Sequence, residues 1–182
     1  MTVVPDDTVT LEVLRNALPA VANEMAADLQ RTSYNMMIYE VRDYCTALVN
    51  PAGELVSQNV GGVSHFIADL GVLIEDAVRR YGKDGFADGD VLIMNHPAVA
   101  GQHLNNICIY VPYFFKGELL MFSMVRAHWI DVGGRDIGSL SKFATDIFQE
   151  GIQFRTVKLR SRGEPVPEIV RMIEHNTRFP VE

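Results

Sequence analysis

The chain has 182 residues and a formal net charge of −7, from 16 Lys and Arg against 23 Asp and Glu. Hydrophobic residues make up 48% and charged residues 21%, which is ordinary for a globular domain with a core of its own. Without a dense basic cluster, the composition excludes a typical nucleic-acid-binding protein, and no apolar run approaches the roughly 18 residues of a membrane span. The N-terminus is acidic where a signal peptide is basic, so we expect an intracellular, cytoplasmic protein.

The first half of the chain alternates helical and strand-like patterns. Apolar residues recur at helical spacing over 10–33, where Thr10 can cap the helix and Pro19 is expected to kink or divide it. Residues 43–59 have the pattern of a β-hairpin with a Pro- and Gly-containing turn. A second helix is predicted over 67–81.

The second half is richer in strands. Residues 89–95 form a predicted buried strand, and 107–128 form a predicted hairpin. The Gly-rich stretch 131–146 is long for a loop, which is typical of functional segments. A short strand over 157–159 and a helix over 167–176 complete the chain. We therefore predict a single α+β domain over 1–182, with a mixed, mostly hairpin-connected antiparallel sheet and two to three helices.

The hairpin brings two histidines together. If its turn centres on Lys116-Gly117, paired residue numbers sum to about 233–234. That register places Asn106 within one residue of the position opposite His128, with His103 one step further along. Two imidazoles and an amide or a nearby carboxylate make a metal site or a polar catalytic cluster. The alternative is two partly buried histidines that hydrogen-bond backbone groups.

Three further residues are candidates for chemistry. Asp43 can act as a ligand or general base, or form an Arg–carboxylate bridge with Arg42 at the end of an element. Asp131, just beyond His128, can supply a carboxylate or orient a ligand imidazole. His65 precedes a predicted helix and can serve as a proton shuttle or have a structural role.

Other chemistries have no support in the sequence. Cys45 and Cys108 both lie in apolar, strand-like runs, so we interpret them as buried hydrophobic residues rather than a disulfide or a metal pair. No glycine-rich loop of the phosphate-cradling type is found, so the sequence predicts no ATP or NAD site on this chain.

Short segments spread over the whole chain resemble the hydantoinase B/5-oxoprolinase family, which includes the large subunits of acetone and acetophenone carboxylases. They agree with the family's motifs in both order and spacing. These segments are LQRTSYN (29–35), EVRDY (40–44), NPAGELVSQ (50–58), GDVLIMNHPAVAGQHLNN (89–106), RAHWIDVGG (126–134), DIGS to ATDIFQEGI (136–152) and HNTRFP (175–180).

The resemblance implies a function within a complex. Family members work with a hydantoinase A-like, ATP-using partner, which phosphorylates a cyclic amide or a ketone-derived enolate. The B-type part then hydrolyses or carboxylates that small molecule. Family positions that bind a divalent metal map onto His103, Asn106 and His128. We therefore expect Mn, Zn or Fe on this chain and ATP with Mg on the partner.

The chain also departs from the family pattern. Asn106 stands where an Asp is usual, His96 replaces the Asp of an N-D-P motif, and Trp129 replaces a second His. Family B-type chains are several times longer, so the resemblance covers their N-terminal part and implies a short form, a split subunit or a fragment. The remaining B-type chain or subunit is then an expected partner. The competing hypothesis is a non-catalytic assembly subunit with a degraded metal site.

Overall fold

The computed structural model describes residues 7–100, 102–139 and 141–180. The acidic N-terminal segment 1–6, Gly101 of the G-x-H-like motif and Leu140 of the long loop lie outside the described residues. Within the described ranges, no helix is both long enough and apolar enough to cross a bilayer.

The described residues form one seven-stranded sheet in which all neighbouring strands are antiparallel. Its order is β2-β1-β5-β4-β3-β6-β7. Strands are β1 (Tyr44–Val49), β2 (Leu55–Gln58), β3 (Val91–Met94), β4 (Asn106–Phe115), β5 (Glu118–His128), β6 (Val157–Ser161) and β7 (Glu164–Pro165). The α+β prediction is confirmed.

The helices lie on both faces of this sheet. In the described part of the chain, three helices span several turns, in agreement with the sequence, and three span four residues each, too short to show a helical period. They are α1 (Thr8–Thr32), α2 (Met36–Tyr39), α3 (Ser64–Ile67), α4 (Leu70–Tyr81), α5 (Pro97–Ala100) and α6 (Pro167–Asn176).

The start of α1 corrects the predicted cap. Asp7, not Thr10, caps the helix, because its carboxylate accepts hydrogen bonds from the backbone N–H groups of Val9 and Thr10 at 3.2 and 3.3 Å. The helix continues through Pro19, so the proline does not divide it.

The β4–β5 hairpin follows the predicted register. Lys116 and Gly117 have φ of 51° and 83°, the two positive values that a type I′ turn requires. Asn106 pairs with His128 at the far end of the ladder, so the pair sums to 234 as expected. A slip of one residue between Tyr113 and Phe114 shortens the sum to 233 near the turn.

Side-chain alternation divides the core between the two faces. Helices α3 and α4 pack on one face through Phe66, Leu70 and Leu73, against Phe122 and Met124 of β5. We call this the α4 face. Helix α1 and helix α6 pack on the opposite face.

The two cysteines lie on the α4 face, on either side of Arg126. Cys45 of β1 and Cys108 of β4 both pair with Arg126 of β5. They are thus two strand spacings apart, roughly 9.6 Å, beyond the reach of a disulfide. Both are free and buried, and burial raises the pKa of each thiol to about 12. The interpretation as buried hydrophobic residues is confirmed.

Candidate functional site

Three polar residues form a row across one end of the sheet. Asn106 and His128 are cross-strand partners, and the His128 backbone N–H donates to the carbonyl oxygen of Asp43 at 3.1 Å. Residues opposite each other across neighbouring strands project their side chains to the same face. The row Asp43–His128–Asn106 therefore lies on the α4 face.

His103 joins this row from the loop that enters β4. Its ring centroid lies 5.1 Å from that of His128, with the rings edge to face at 82°. We call His103, Asn106 and His128 the histidine group. The predicted convergence of the two imidazoles is thus found in the structure.

Two buried asparagines hold the loop that carries His103. Asn95 donates from Nδ2 to the carbonyl of Leu104 at 2.9 Å, and Asn105 donates from Nδ2 to the carbonyl of Trp129 at 2.7 Å. The Trp129 N–H returns a bond to the Asn105 carbonyl at 2.8 Å. Both residues were missed in the sequence, because a single asparagine carries no periodic signal. The one available hint was that Asn95 and Asn105 lie in the same segment as His103.

The histidine group contains three buried polar atoms without partners. In the described part of the chain, His103 Nδ1, His128 Nδ1 and Asn106 Oδ1 have no hydrogen-bond partner. Buried polar atoms are nearly always paired, so three orphans in one place need an explanation. If the two histidines were purely structural, we would expect hydrogen bonds to backbone groups. Neither Nδ1 atom forms such a bond with the described residues. Imidazole nitrogens and an amide oxygen are donors that fit a divalent metal.

The surroundings of both imidazoles favour their neutral form. Burial lowers the pKa of His128, and the Asp43 carboxylate opposes that shift. Burial also lowers the pKa of His103, assisted by His128, His65 and Arg126 and opposed by Asp43. Because an unprotonated ring nitrogen is the form that binds a metal, the environment favours ligation at neutral pH.

The two candidate aspartates are used differently. Asp43 is near enough to act on both histidines, and among the described residues its carboxylate forms no ion pair, with Arg42 or any other cation. Asp131 is engaged elsewhere: Oδ1 accepts from Gly133 N at 3.0 Å and Arg178 Nη1 at 2.7 Å, and Oδ2 accepts from Arg178 N at 2.5 Å. The structure therefore places Asp43, and not Asp131, beside the histidine group.

His65 lies at the rim of the group. Its exposed ring packs edge-on against Phe66, with centroids 4.7 Å apart. Its carbonyl oxygen accepts a hydrogen bond from Gln102 Nε2 at 3.1 Å, which ties α3 to the loop carrying His103.

Two departures from the family pattern have structural explanations. The ring Nδ1 of His96 accepts from Ala98 N at 3.2 Å and so caps α5, a task that an aspartate performs well. Trp129 packs into the apolar cluster on the opposite face, with Ile107 and Val132. The change at Trp129 therefore removes no side chain from the histidine group.

A buried arginine that the sequence analysis did not identify, Arg126, anchors helices α3 and α4 to the α4 face. Arg126 is 2% exposed, donates to the Phe66 carbonyl at 2.9 Å and forms an ion pair with Asp69. These bonds fix the α3–α4 junction, and with it His65, beside the histidine group.

A cavity of about 800 Å³ lies apart from the histidine side chains and is lined mainly by apolar residues, including Tyr34, Ile38 and Trp129. Among its polar residues, Asn35 donates to the His128 carbonyl at 2.9 Å and Asp131 accepts from Arg178. None of His103, Asn106 and His128 is among the described residues that line this cavity, so their unpaired atoms do not belong to it.

The carboxylates do not close a metal site by themselves. Within residues 7–100, 102–139 and 141–180, no three His, Cys, Asp or Glu side chains are gathered closely enough to hold an ion. The group rests instead on two imidazoles with the neutral amide of Asn106 as the third donor, a weaker ligand than a carboxylate.

Fold and site together define a component of the hydantoinase B class. The family model described as Hydantoinase B/oxoprolinase matches residues 7–182, and the chain belongs to that family. It is 32% identical over 174 residues to caprolactamase subunit beta of Pseudomonas jessenii, covering 94% of this chain and 29% of the relative. It is 33% identical over 157 residues to 5-oxoprolinase 1 of Arabidopsis thaliana, covering 86% of this chain and 12% of the relative.

Solved structures agree with this assignment. The crystal structure of ATP-dependent caprolactamase from Pseudomonas jessenii superposes with a TM-score of 0.85 at 27% identity, over 98% of this chain and 30% of that one. Nucleotide-free acetone carboxylase superposes with a TM-score of 0.87 at 18% identity, over 96% of this chain and 23% of that one. This is a likeness of fold alone. The chain thus spans about three-tenths or less of the length of these relatives.

Proposed function

We propose that this chain is the metal-site-bearing component of an ATP-dependent cyclic amide hydrolase complex, of the hydantoin, lactam or 5-oxoproline type, or of a related ketone carboxylase. The observation that carries the proposal is the set of three buried, unpaired polar atoms on His103, Asn106 and His128. The relatives support the enzyme class, since their names describe an ATP-dependent caprolactamase and a 5-oxoprolinase.

In this proposal the histidine group holds a divalent ion, Mn, Zn or Fe. Such an ion would polarise a substrate carbonyl or activate water. The two neutral imidazoles supply nitrogen donors and Asn106 supplies a neutral oxygen. ATP and its Mg bind a hydantoinase A-like partner, and the remaining B-type chain or subunit completes the complex in the cytoplasm around the small-molecule substrate.

Asp43 is the carboxylate best placed to complete the site. It shares the row with His128 and acts electrostatically on both histidines, so in this proposal it serves as general base rather than as a ligand. Asp131 is the weaker candidate because both its oxygens already accept bonds from the Arg178 segment. His65, exposed at the rim, is positioned to pass protons between the site and solvent.

One observation favours a second function, that of a non-catalytic assembly subunit. Asn106 stands where the family usually has Asp, which removes a negative charge from the site and lowers its metal affinity. In that case the chain keeps the fold and contributes an interface to the complex.

Metal analysis separates the two functions. We expect the purified chain to bind close to one divalent ion, and His103→Ala or His128→Ala to reduce that binding at least tenfold. His175→Ala, on the exposed surface of α6, is the matched control and should bind as wild type does. Absence of bound Mn, Zn and Fe, together with unchanged activity of the His103→Ala complex, would instead establish the assembly role.

A further inference from the structure

We infer that Gln102 is a positioning residue that turns the amide of Asn106 so that its oxygen, and not its NH₂ group, is available to a cation held by the two histidines. The inference rests on the proposed function, because it concerns a residue of the same site. Gln102 belongs to none of the ligand positions considered above.

The orientation follows from a hydrogen-bond chain that begins at an obligate acceptor. The carbonyl oxygen of His65 can only accept, and Gln102 donates to it from Nε2 at 3.1 Å. This bond leaves Gln102 Oε1 free on the other side of the same amide. Asn106 donates from Nδ2 to that oxygen at 3.0 Å. The backbone of α3 thereby sets the orientation of both amides in turn.

The consequence is an unpaired Asn106 Oδ1, buried with no donor among the described residues. Without Gln102, the NH₂ group of Asn106 would lose its acceptor inside the protein. The same group contains the Nδ1 atoms of His103 and His128, which are also unpaired and accept a hydrogen bond when the ring proton is on Nε2. If the Asn106 NH₂ group donated to an imidazole nitrogen, that nitrogen's lone pair would not be available to a metal. Gln102 accepts from the NH₂ group instead and so prevents this internal hydrogen bond.

The arrangement suits asparagine and not aspartate at position 106. A carboxylate only accepts, so Gln102 Oε1 would face an acceptor, and turning the Gln102 amide would break its bond to the His65 carbonyl. A carboxylate at position 106 also needs no neighbour to fix its orientation, because its two oxygens are equivalent. The hydrogen bonds of Gln102 therefore fit an asparagine at position 106 better than an aspartate.

A double-mutant cycle on the full chain tests this role with Zn²⁺ as the probe. Gln102→Met keeps the length of the side chain and removes both hydrogen bonds. We expect it to weaken Zn²⁺ binding about three- to tenfold in the wild-type background, the equivalent of one hydrogen bond. In an Asn106→Asp background we expect no loss, or a gain. Gln58→Met, on the exposed edge strand β2, is the control and should change neither. An equal loss in both backgrounds would show that Gln102 merely supports the loop and would overturn the inference.

A second readout needs no metal. In the NMR spectrum of the wild-type chain, we expect the Asn106 side-chain NH₂ protons to exchange slowly and to show contacts to Gln102, and Gln102→Met to abolish both features. Fast exchange in the wild type would overturn the inference whatever the metal result. Slow exchange in a chain that binds no Zn²⁺ would support the role of Gln102 and overturn only the proposed function.

Discussion

Asn106 faces His128 directly across the β4–β5 ladder, and each side chain has a buried polar atom without a hydrogen-bond partner among the described residues. A pairing of this kind is costly for stability, since buried polar atoms left unpaired each cost about 1–3 kcal/mol. Among the described residues, Tyr110 Oη and Arg126 Nε are likewise buried without a partner. Hydrogen bonds and ion pairs around these groups offset the cost.

The Arg126–Asp69 pair should respond asymmetrically to mutation. Arg126 is 2% exposed, whereas the Asp69 side chain is 24% exposed. Asp69→Asn leaves a buried guanidinium without a counterion and should lower the free energy of unfolding by about 3 kcal/mol. Arg126→Met leaves a carboxylate that water can reach, so we expect a smaller loss of about 1–2 kcal/mol. Urea denaturation of both variants shows which substitution lowers the free energy of unfolding more.

The exposed pair formed by Arg31 and Asp28 is the control for this comparison. Both side chains are more than 70% exposed, so Asp28→Asn should change the free energy of unfolding by less than about 0.5 kcal/mol. Equal losses for Asp69→Asn and Arg126→Met would contradict the argument from burial.

Asn95 should tolerate aspartate no better than alanine. Its Nδ2 donates to the carbonyls of Leu104 and Ile152 at 2.9 Å each, and its Oδ1 accepts from Phe154 N at 2.6 Å. Asn95→Ala leaves all three groups unpaired and should cost about 3 kcal/mol of unfolding free energy. Asn95→Asp keeps one bond but sets a carboxylate against two carbonyl oxygens, so we expect at least as large a loss.

Denaturant titration checks this order, with Asn16→Ala as the control. Asn16 is exposed on α1 and bonds only the Glu12 carbonyl, so its replacement should have little effect. A clearly milder effect of Asn95→Asp would mean that shape, and not the direction of hydrogen bonds, holds the loop of His103.

Asp131 should contribute stability in a pH-dependent way. Burial tends to raise the pKa of this carboxyl, but the Arg178 and Gly133 backbone N–H groups and the Arg178 guanidinium outweigh burial and hold the pKa below its ordinary value of 3.8. Between the two pKa values the unfolded chain binds more protons, so stability rises with pH there. The contribution is present in full above pH 3.8 and is lost as the pH falls through the lower, folded value.

Asp131→Asn should accordingly lower the free energy of unfolding by about 2 kcal/mol at pH 7, as expected for charge-assisted bonds. The difference from wild type should stay constant down to about pH 5 and shrink below pH 4. Urea denaturation over this pH range measures it, with the exposed Asp84→Asn as control. A difference independent of pH would show that the ion pair with Arg178 is not its source.

The turn of the β4–β5 hairpin can be improved. Lys116 adopts φ of 51°, a left-handed conformation that lysine accepts poorly and asparagine well. Lys116→Asn should raise the free energy of unfolding by about 0.5–1 kcal/mol. Lys116→Ala keeps the strained conformation and should give no gain. Thermal unfolding of the two variants tests this, and a gain for alanine would point to removal of charge as the cause.

Part of the site was determined by local sequence. The Lys116-Gly117 turn sets the hairpin register to within one residue, which brings Asn106 and His128 to the same end of the ladder. The slip between Tyr113 and Phe114 then makes them direct partners. Turn chemistry and alternation are local properties, so they can be read without knowing the rest of the fold.

The remainder depended on contacts distant along the chain. Asp43 reaches His128 because β1 pairs with β5, and Gln102 is oriented by the His65 carbonyl, 37 residues away. The engagement of Asp131 likewise required Arg178, 47 residues on. No periodic pattern encodes these partners, since a hydrogen bond between distant segments exists only when packing of the helices on the sheet has brought the segments together. Sequence alone thus determined which histidines meet, and tertiary structure decided which carboxylate and which amide accompany them.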